Sequence, residues 1–226
     1  MKKVNEFKRF YEEEGKFIRS DETNPDVVVR FKHMIFPILP RKSKKVLDTG
    51  CGDGYLVSQL RKRGFDAFGV DISRTRINHA IKKYGKFYEV GSIYNLKFKD
   101  GAFDTVIASE VIEHLEHPDK AIEELKRVSK EFIIFTFPYK EKLILEACPH
   151  CLKRFYRSGH IQYFDWNRIV KMMQRHNLKI LKVKKMAYYP FINFPLLIAL
   201  MINEFLAILD KTTYIGLLCQ KREVNA

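Results

Sequence analysis

The stretch VLDTGCGDGYL, residues 46–56, limits most sharply what this chain can fold into. Apolar Val46 and Leu47 run into Asp48, glycines follow at Gly50, Gly52 and Gly54, and an apolar pattern of helical spacing begins at Tyr55. A short buried strand, a tight glycine turn and a helix are thereby specified. The alternation then repeats. FDAFGVDI reads as a strand, SRTRINHAIKKYG as a helix with Ser73 as its N-cap and Gly85 past its end, and KFYEVGS as a third strand. FDTVIASE is a fourth strand, HPDKAIEELKRVSK a helix, and EFIIFTF a fifth strand. Strands alternating with helices of this length predict an α/β fold, a mostly parallel sheet with helices on both faces.

A chain of 226 residues is read as a single domain, 1–226, in three parts. Residues 1–44 form an N-terminal helical cap, in which Phe7, Phe10, Tyr11, Phe17 and Ile18 fall near helical spacing and DVVVRFKHMIFPIL makes a second helix ended or kinked at Pro37. Residues 45–138 form the glycine-turn core. Residues 139–226 form a looser half, with a helix in DWNRIVKMMQRHN and strands in LKILKVKKMAY and TTYIGLLCQKR. The basic excess of +14 is uneven: +5 in residues 1–45, zero in 46–137 and +9 in 138–226. It is either a solvated lysine-rich surface or the mark of an anionic partner, whether nucleic acid, phosphorylated substrate or membrane surface. MKKVNEFKRFYEEEGKF has no apolar core of a signal peptide and the four cysteines make no disulfide framework, so a cytoplasmic protein is expected.

The glycine spacing narrows the ligand. A dinucleotide needs G-x-G-x-x-G, so that its pyrophosphate can meet a helix N-terminus. Here the spacing is G-x-G-x-G, and the Asp48 carboxylate would repel a pyrophosphate. It suits instead a ligand with a cationic amine and a sulfonium and no phosphate. No G-K-[ST] follows, which excludes a P-loop. Asp71, ending the second strand, can accept both hydroxyls of an adenosine ribose.

These motifs resemble the class I S-adenosylmethionine (SAM)-dependent methyltransferases, in particular the type 11 group. VLDTGCGDG, FGVDIS, NLKFKDGAFDTVIASEVIEHLEHP and FIIFTFP carry the resemblance, over roughly residues 44–138. It implies a Rossmann-like, seven-stranded sheet whose last strand, TTYIGLLCQKR, is antiparallel. It also implies that Asp48, Gly50, Cys51 and Gly52 hold the methionine part of SAM, Asp71 the ribose and Ile72 the adenine, with Ser92, Ile93 and Glu110 completing the cofactor contacts. Gly91-Ser92-Ile93 stands where the family often places an acid against the adenine amine.

The acceptor side follows the fourth strand. Glu110, Glu113 and His114 have i, i+3, i+4 spacing, so a helix would set them on one face, with His160 in SGHIQYFDW further on. Two carboxylates and two imidazoles can hold a divalent ion of the Mg²⁺ or Mn²⁺ class that activates an acceptor hydroxyl. The arrangement resembles the E-x-x-E-H and distant H of small-RNA 3′-terminal ribose 2′-O-methyltransferases, and in part the ubiquinone-pathway O-methyltransferases. The same string also occurs as plain capping and packing residues in type 11 proteins. Without an ion, His114 or His160, with Glu113, is the candidate for proton removal. Neither the [DNS]-P-P-[YF] of base-amine methylation nor a Pro-Cys nucleophile is present at this point.

Cys148 and Cys151, in C-P-H-C, have the spacing of half a structural zinc site, and His160 or another distant histidine is the further ligand on offer. Two ordinary thiols are the alternative. The apolar run 187–209 is broken by Pro190, Pro195, Asn193, Asn203 and Glu204, and its longest clean stretch, Phe194 to Ile202, is about half the length of a membrane span. A lid, a dimer face or an interfacial helix fits it. The expected activity is SAM-dependent methyl transfer to an oxygen or nitrogen nucleophile, on a small molecule. RNA 3′-end ribose methylation is the alternative that needs the metal, and a non-catalytic SAM-binding membrane-peripheral protein is another. The chain is expected to be a monomer or homodimer.

Overall fold

A computed structural model describes residues 9–13, 15–16, 24–187 and 213–222. Five strands and their crossovers follow the alternation read above: β1 (Lys45–Thr49), β2 (Asp66–Asp71), β3 (Tyr88–Val90), β4 (Phe103–Ser109) and β5 (Ser129–Pro138). A short hairpin, β6 (Leu145–Ala147) and β7 (Arg154–Tyr156), precedes β8 (Leu178–Met186) and β9 (Tyr214–Lys221). The main sheet has the order β3-β2-β1-β4-β5-β9-β8. Strands β1 to β5 pair in parallel, and β9 runs antiparallel to both β5 and β8. The expected seven strands are therefore present, and the last in sequence, β9, is the antiparallel one, lying between β5 and β8.

Helices cover both faces. α1 occupies residues 9–13, and α2 (Pro25–Arg30) continues as a wide turn over Phe31–Ile35 and a tight one over Phe36–Ile38, so the helix around Pro37 is broken as expected. With α3 (Tyr55–Arg61) and α4 (Arg74–Tyr84), the second half of this segment encloses a core of Phe31, Ile35, Val57, Leu60, Ile77 and Ile107. On the other face α5 (Pro118–Val128) and α6 (Trp166–Arg175) bury Ile122, Leu125, Ile169 and Met173 against Val106, Phe135 and Leu217. The Ser73 hydroxyl accepts the Arg76 N–H as the N-cap of α4, and Gly85 ends it. Phe7, Phe17 and Ile18, and the apolar run from residue 188 onward, lie outside the described residues.

The glycine turn is held by packing as well as by backbone freedom. Gly54 has φ +88°, and a Cβ there would stand 2.5 Å from the ring of Tyr88 and 2.9 Å from Ala80. The Tyr88 hydroxyl donates to the Gly54 carbonyl at 2.9 Å, so the ring cannot swing aside without breaking that bond. Gly54→Ala is accordingly expected to cost about 1–3 kcal/mol of stability through overpacking and strain. Thermal melting checks this; an unchanged midpoint would mean that the turn is not packed on Tyr88.

Candidate active site

Ligands of open α/β sheets bind beyond the C-terminal strand ends where the chain order reverses, which here is the crevice between β1 and β4. Both candidate clusters leave the sheet at that point. β1 ends in the glycine turn, where the Gly50 and Cys51 N–H groups donate to the Val70 carbonyl of β2. Gly50 has φ +74°, and a Cβ there would lie 2.4 Å from a methyl of Val111, so the turn is seated directly on the segment that follows β4.

Asp48 is 3% exposed. Burial, then the nearby Asp71 carboxylate, holds its pKa well above the usual range. An approaching cation would relieve both effects. Asp71 accepts the Gly52 N–H at 2.9 Å through one oxygen and the Ser73 N–H at 2.8 Å through the other. Burial raises its pKa, and those two N–H groups and Arg76 oppose the rise. Asp71 thus ties the glycine turn to the start of α4. Ile72 is half-buried beside it. The Cys51 thiol turns into the core with Leu56 and Ile77, leaving this residue to face the crevice through its backbone. The Ser92 hydroxyl accepts the Tyr94 N–H at 3.3 Å, while Ile93 packs on the core.

The geometry after β4 corrects the expectation of a helix presenting Glu110, Glu113 and His114 on one face. Glu110 has φ +54°, a left-handed conformation rare for a residue with a side chain. Only Ile112–His114 forms a single tight helical turn. Glu110 is thereby directed toward β5, where its carboxylate accepts the Thr136 hydroxyl at 2.8 Å. Glu113 and His114 instead meet His160: potential ligand atoms of these three residues lie within 4.8 Å of one another. The rings of His114 and His160 are 4.7 Å apart, edge to face.

Hydrogen bonds fix both imidazoles. His114 Nδ1–H donates to the Gly159 carbonyl at 3.2 Å, which leaves Nε2 with its lone pair, 4.0 Å from Glu113 Oε1. His160 Nδ1 bonds to the Glu141 carboxylate, which likewise frees Nε2. Glu113 is fully buried and neither of its carboxylate oxygens has a hydrogen-bond partner. Burial, followed by the Glu110 charge, raises its pKa well above the usual range. Burial and then His160 lower that of His114 to about 4.

Two residues here carried no signal in the sequence. Glu141 stands in a polar loop after β5, with nothing to mark it out. Arg30 ends α2, and its charge opposes the raised pKa values of Glu110 and Glu113. A third contribution comes from α1, whose Tyr11 ring lies edge-on to His114 at 5.8 Å. Next to it the Glu12 carboxylate accepts the Arg74 and Thr75 N–H groups at 2.8 and 3.0 Å, capping α4. The N-terminal segment therefore spans from the Asp71 end of the crevice to the histidine pair. Cys148 and Cys151 do not join His160: among the described residues the converging ligand group is Glu113, His114 and His160, and no third ligand meets the two thiols. The expected intrachain zinc site with His160 is thus not formed.

The methyltransferase-domain family matches this sequence over residues 20–183. The chain belongs to the class I SAM-dependent methyltransferases. It is 29% identical over 215 residues to the ubiquinone biosynthesis O-methyltransferase of Pelagibacter ubique, covering 83% of this chain and 88% of that protein. It is 34% identical over 112 residues to the norajmaline N-methyltransferase of Rauvolfia serpentina, covering 46% of this chain but 38% of that enzyme. Among solved structures, a SAM-dependent methyltransferase from Mesorhizobium loti shares the fold with a TM-score of 0.62 at 14% identity, over 82% of this chain and 94% of the other. SAM is the methyl donor of this family. Among the described residues no helix is long and apolar enough to cross a membrane.

Proposed function

We propose that this methyltransferase moves the methyl group of SAM to an oxygen or nitrogen nucleophile of a small molecule. The histidine–carboxylate cluster carries the reading: Glu113, His114 and His160 stand beside the glycine turn with both Nε2 lone pairs free. Asp48, with the backbone of Gly50, Cys51 and Gly52, takes the methionine end of SAM. Asp71 takes the ribose, Ile72 the adenine face, and Ser92 and Ile93 the far edge of the base. Glu110 borders the methionine end. In the transfer, the acceptor lone pair attacks the methyl carbon, the C–S bond breaks, and S-adenosylhomocysteine leaves. The acceptor proton goes to His160 Nε2, because the resulting imidazolium faces the Glu141 carboxylate, whereas buried His114 resists charging. Glu113 and His114 shape and orient the acceptor pocket.

A second reading is favoured by one observation, the two bare buried oxygens of Glu113. A divalent ion held by Glu113, His114 and His160 would satisfy them, and each histidine already has the outer partner that ligating imidazoles use. Two imidazoles favour Mn²⁺ over Mg²⁺. Glu110, bonded to Thr136, borders that site rather than joining it. Such an ion would lower the pKa of an acceptor hydroxyl, and RNA 3′ ends become the acceptor to test.

Asp71→Ala is expected to weaken SAM binding by about 1–3 kcal/mol, since ribose hydroxyls lose their acceptor and the turn loses its tie. Calorimetry reads this; unchanged affinity would remove Asp71 from the cofactor site. Release of S-adenosylhomocysteine is then measured with phenols, aliphatic hydroxyls, amines and RNA 3′ ends, with and without a chelator. Turnover of phenols or amines that survives chelation supports the first reading. Turnover of RNA alone, lost on chelation, replaces it with the second.

A further inference from the structure

Between Glu141 and His160 the chain makes an excursion that the methyl-transfer site does not use. Strands β6 and β7 pair in an antiparallel two-stranded sheet, with Leu145 opposite Tyr156 and Ala147 opposite Arg154. The Cys148–Lys153 turn closes it: the Cys148 N–H donates to the Lys153 carbonyl at 2.9 Å, and the Leu152 N–H to the Cys148 carbonyl at 2.9 Å. Leu152 has φ +56°, the conformation that bends the chain back after Cys151. This turn gathers the sulfurs. The backbone N–H groups of Cys151 and His150 and the thiol of Cys151 all converge on the Cys148 sulfur. A C-x-x-C turn of this kind at a hairpin tip presents two thiolates side by side, half of a tetrahedral zinc sphere.

Among the described residues the other half is not placed beside these two sulfurs. Every cysteine and histidine of the sequence lies in the described residues. Cys51 and Cys219 are buried, the latter with its sulfur 3.5 Å from that of Met173. His176 sits between Asp119 and Glu123, and His114 and His160 belong to the active-site cluster. No third histidine, cysteine or carboxylate of the described residues converges on Cys148 and Cys151.

The hairpin is also the most apolar exposed part of the described surface. Ile144, Leu145, Leu152, Phe155 and Tyr156 are 42%, 49%, 78%, 48% and 37% exposed, half of the ten large apolar side chains so exposed among the described residues. Around them stand Lys142, Lys153 and Arg154, while Arg157 is paired with Glu146 of β6, which leaves the hairpin with a basic excess. Two such basic hairpins would repel each other unless an anionic group lay between them.

We propose that Cys148 and Cys151 bind Zn²⁺ together with the same two cysteines of a second copy of this chain, making a two-fold dimer clamped at the hairpin tips. Four thiols release four protons to solvent as four Zn–S bonds form. The resulting centre carries a charge of −2, which the surrounding lysines and arginines neutralise. A two-fold axis through the ion supplies identical ligands from both chains and lays the same apolar side chains against each other. The hairpin's base is closed by the Arg157 N–H donating to the Ile144 carbonyl at 2.9 Å, and Glu141 and His160 flank that closure. Clamping the tip therefore also anchors the segment that holds the His160–Glu141 pair. The proposal does not depend on which acceptor is methylated.

The test titrates Co²⁺ or Zn²⁺ into the reduced, metal-free full-length chain while molar mass is followed by light scattering. The expected result is thiolate-to-cobalt charge-transfer absorption that saturates at one ion per two chains, with the mass rising from 26.8 kDa to about twice that value. Chelation and the Cys148→Ser/Cys151→Ser double substitution should each abolish both, with circular dichroism and melting of the double variant unchanged. Saturation at one ion per monomer overturns the proposal. So does cobalt absorption without thiolate character, which would place the ion at Glu113, His114 and His160, and so does a dimer that survives chelation and substitution, or a monomer at every metal concentration.

Discussion

His160→Ala is expected to reduce methyl transfer by about 10²–10⁴-fold while leaving SAM affinity within about twofold, because general base catalysis is worth that much and His160 lies on the acceptor side. The hydrogen bond from Nδ1 to Glu141 fixes which ring nitrogen is free, and Glu141 stabilises the imidazolium that forms. Glu141→Gln keeps the shape but removes the charge. It is expected to lower the rate by a smaller factor and to move the pH profile of the rate, which a merely structural contact would not do. Single-turnover kinetics on an acceptor found in the panel, with SAM calorimetry alongside, separates the two steps. If His160→Ala lost SAM binding and transfer together, the histidine would be a structural member of the cofactor site.

The contribution of His114 to the stability of the ligand-free protein should be lost as pH drops from about 6.5 to about 4. His114 has an ordinary value of 6.5 and is lowered to about 4 in the fold, by burial first and His160 second. The unfolded chain therefore takes up a proton that the folded chain refuses across this window, so the stabilisation is complete above 6.5 and is lost as pH falls toward 4. The shift corresponds to roughly 3 kcal/mol. Glu113 acts in the opposite direction, as do Asp48, Asp71 and Glu110, whose pKa values burial likewise raises. The folded pKa of Glu113 is raised, so its protonated form is favoured in the fold, and its contribution is largest at low pH and is lost as pH rises past the ordinary carboxylate value. The two dependences are separable by substitution: His114→Asn should remove the His114 contribution and leave that of the carboxyls in place. Denaturant melts of both proteins from pH 4 to 8 measure this as a difference, and an unchanged pH dependence in His114→Asn would show that His114 contributes none of it.

The sheet was legible because its determinants are local. Three glycines behind a two-residue apolar strand, an N-cap at Ser73, and a glycine past the end of α4 each state their element without reference to distant residues. The positions of Asp48 and Asp71 were legible for a related reason, since Asp71 ends β2 and Asp48 is the last residue but one of β1, strand ends that the glycine turn and the N-cap fix locally. The segment after β4 was misread in shape and, for Glu110, in membership of the ligand cluster. The i, i+3, i+4 spacing of Glu110, Glu113 and His114 suits a helix, but Glu110 enters a left-handed turn so that its side chain can meet Thr136 on the neighbouring strand. Periodicity cannot anticipate a tertiary hydrogen bond. Glu141 was invisible for the same reason: its role depends on His160 returning to it across the β6–β7 hairpin, itself read only as a loop. Arg30 matters through charge at a distance, which no spacing encodes.

The most direct test of the central claim is calorimetric titration of SAM into metal-stripped protein, with NADH titrated in parallel. The account predicts one SAM bound per chain and no heat from NADH, because a cationic ligand favours the charged form of buried Asp48 whereas a pyrophosphate opposes it, and because the G-x-G-x-G turn lacks the dinucleotide spacing. Binding of NADH, or no binding of SAM, would contradict it.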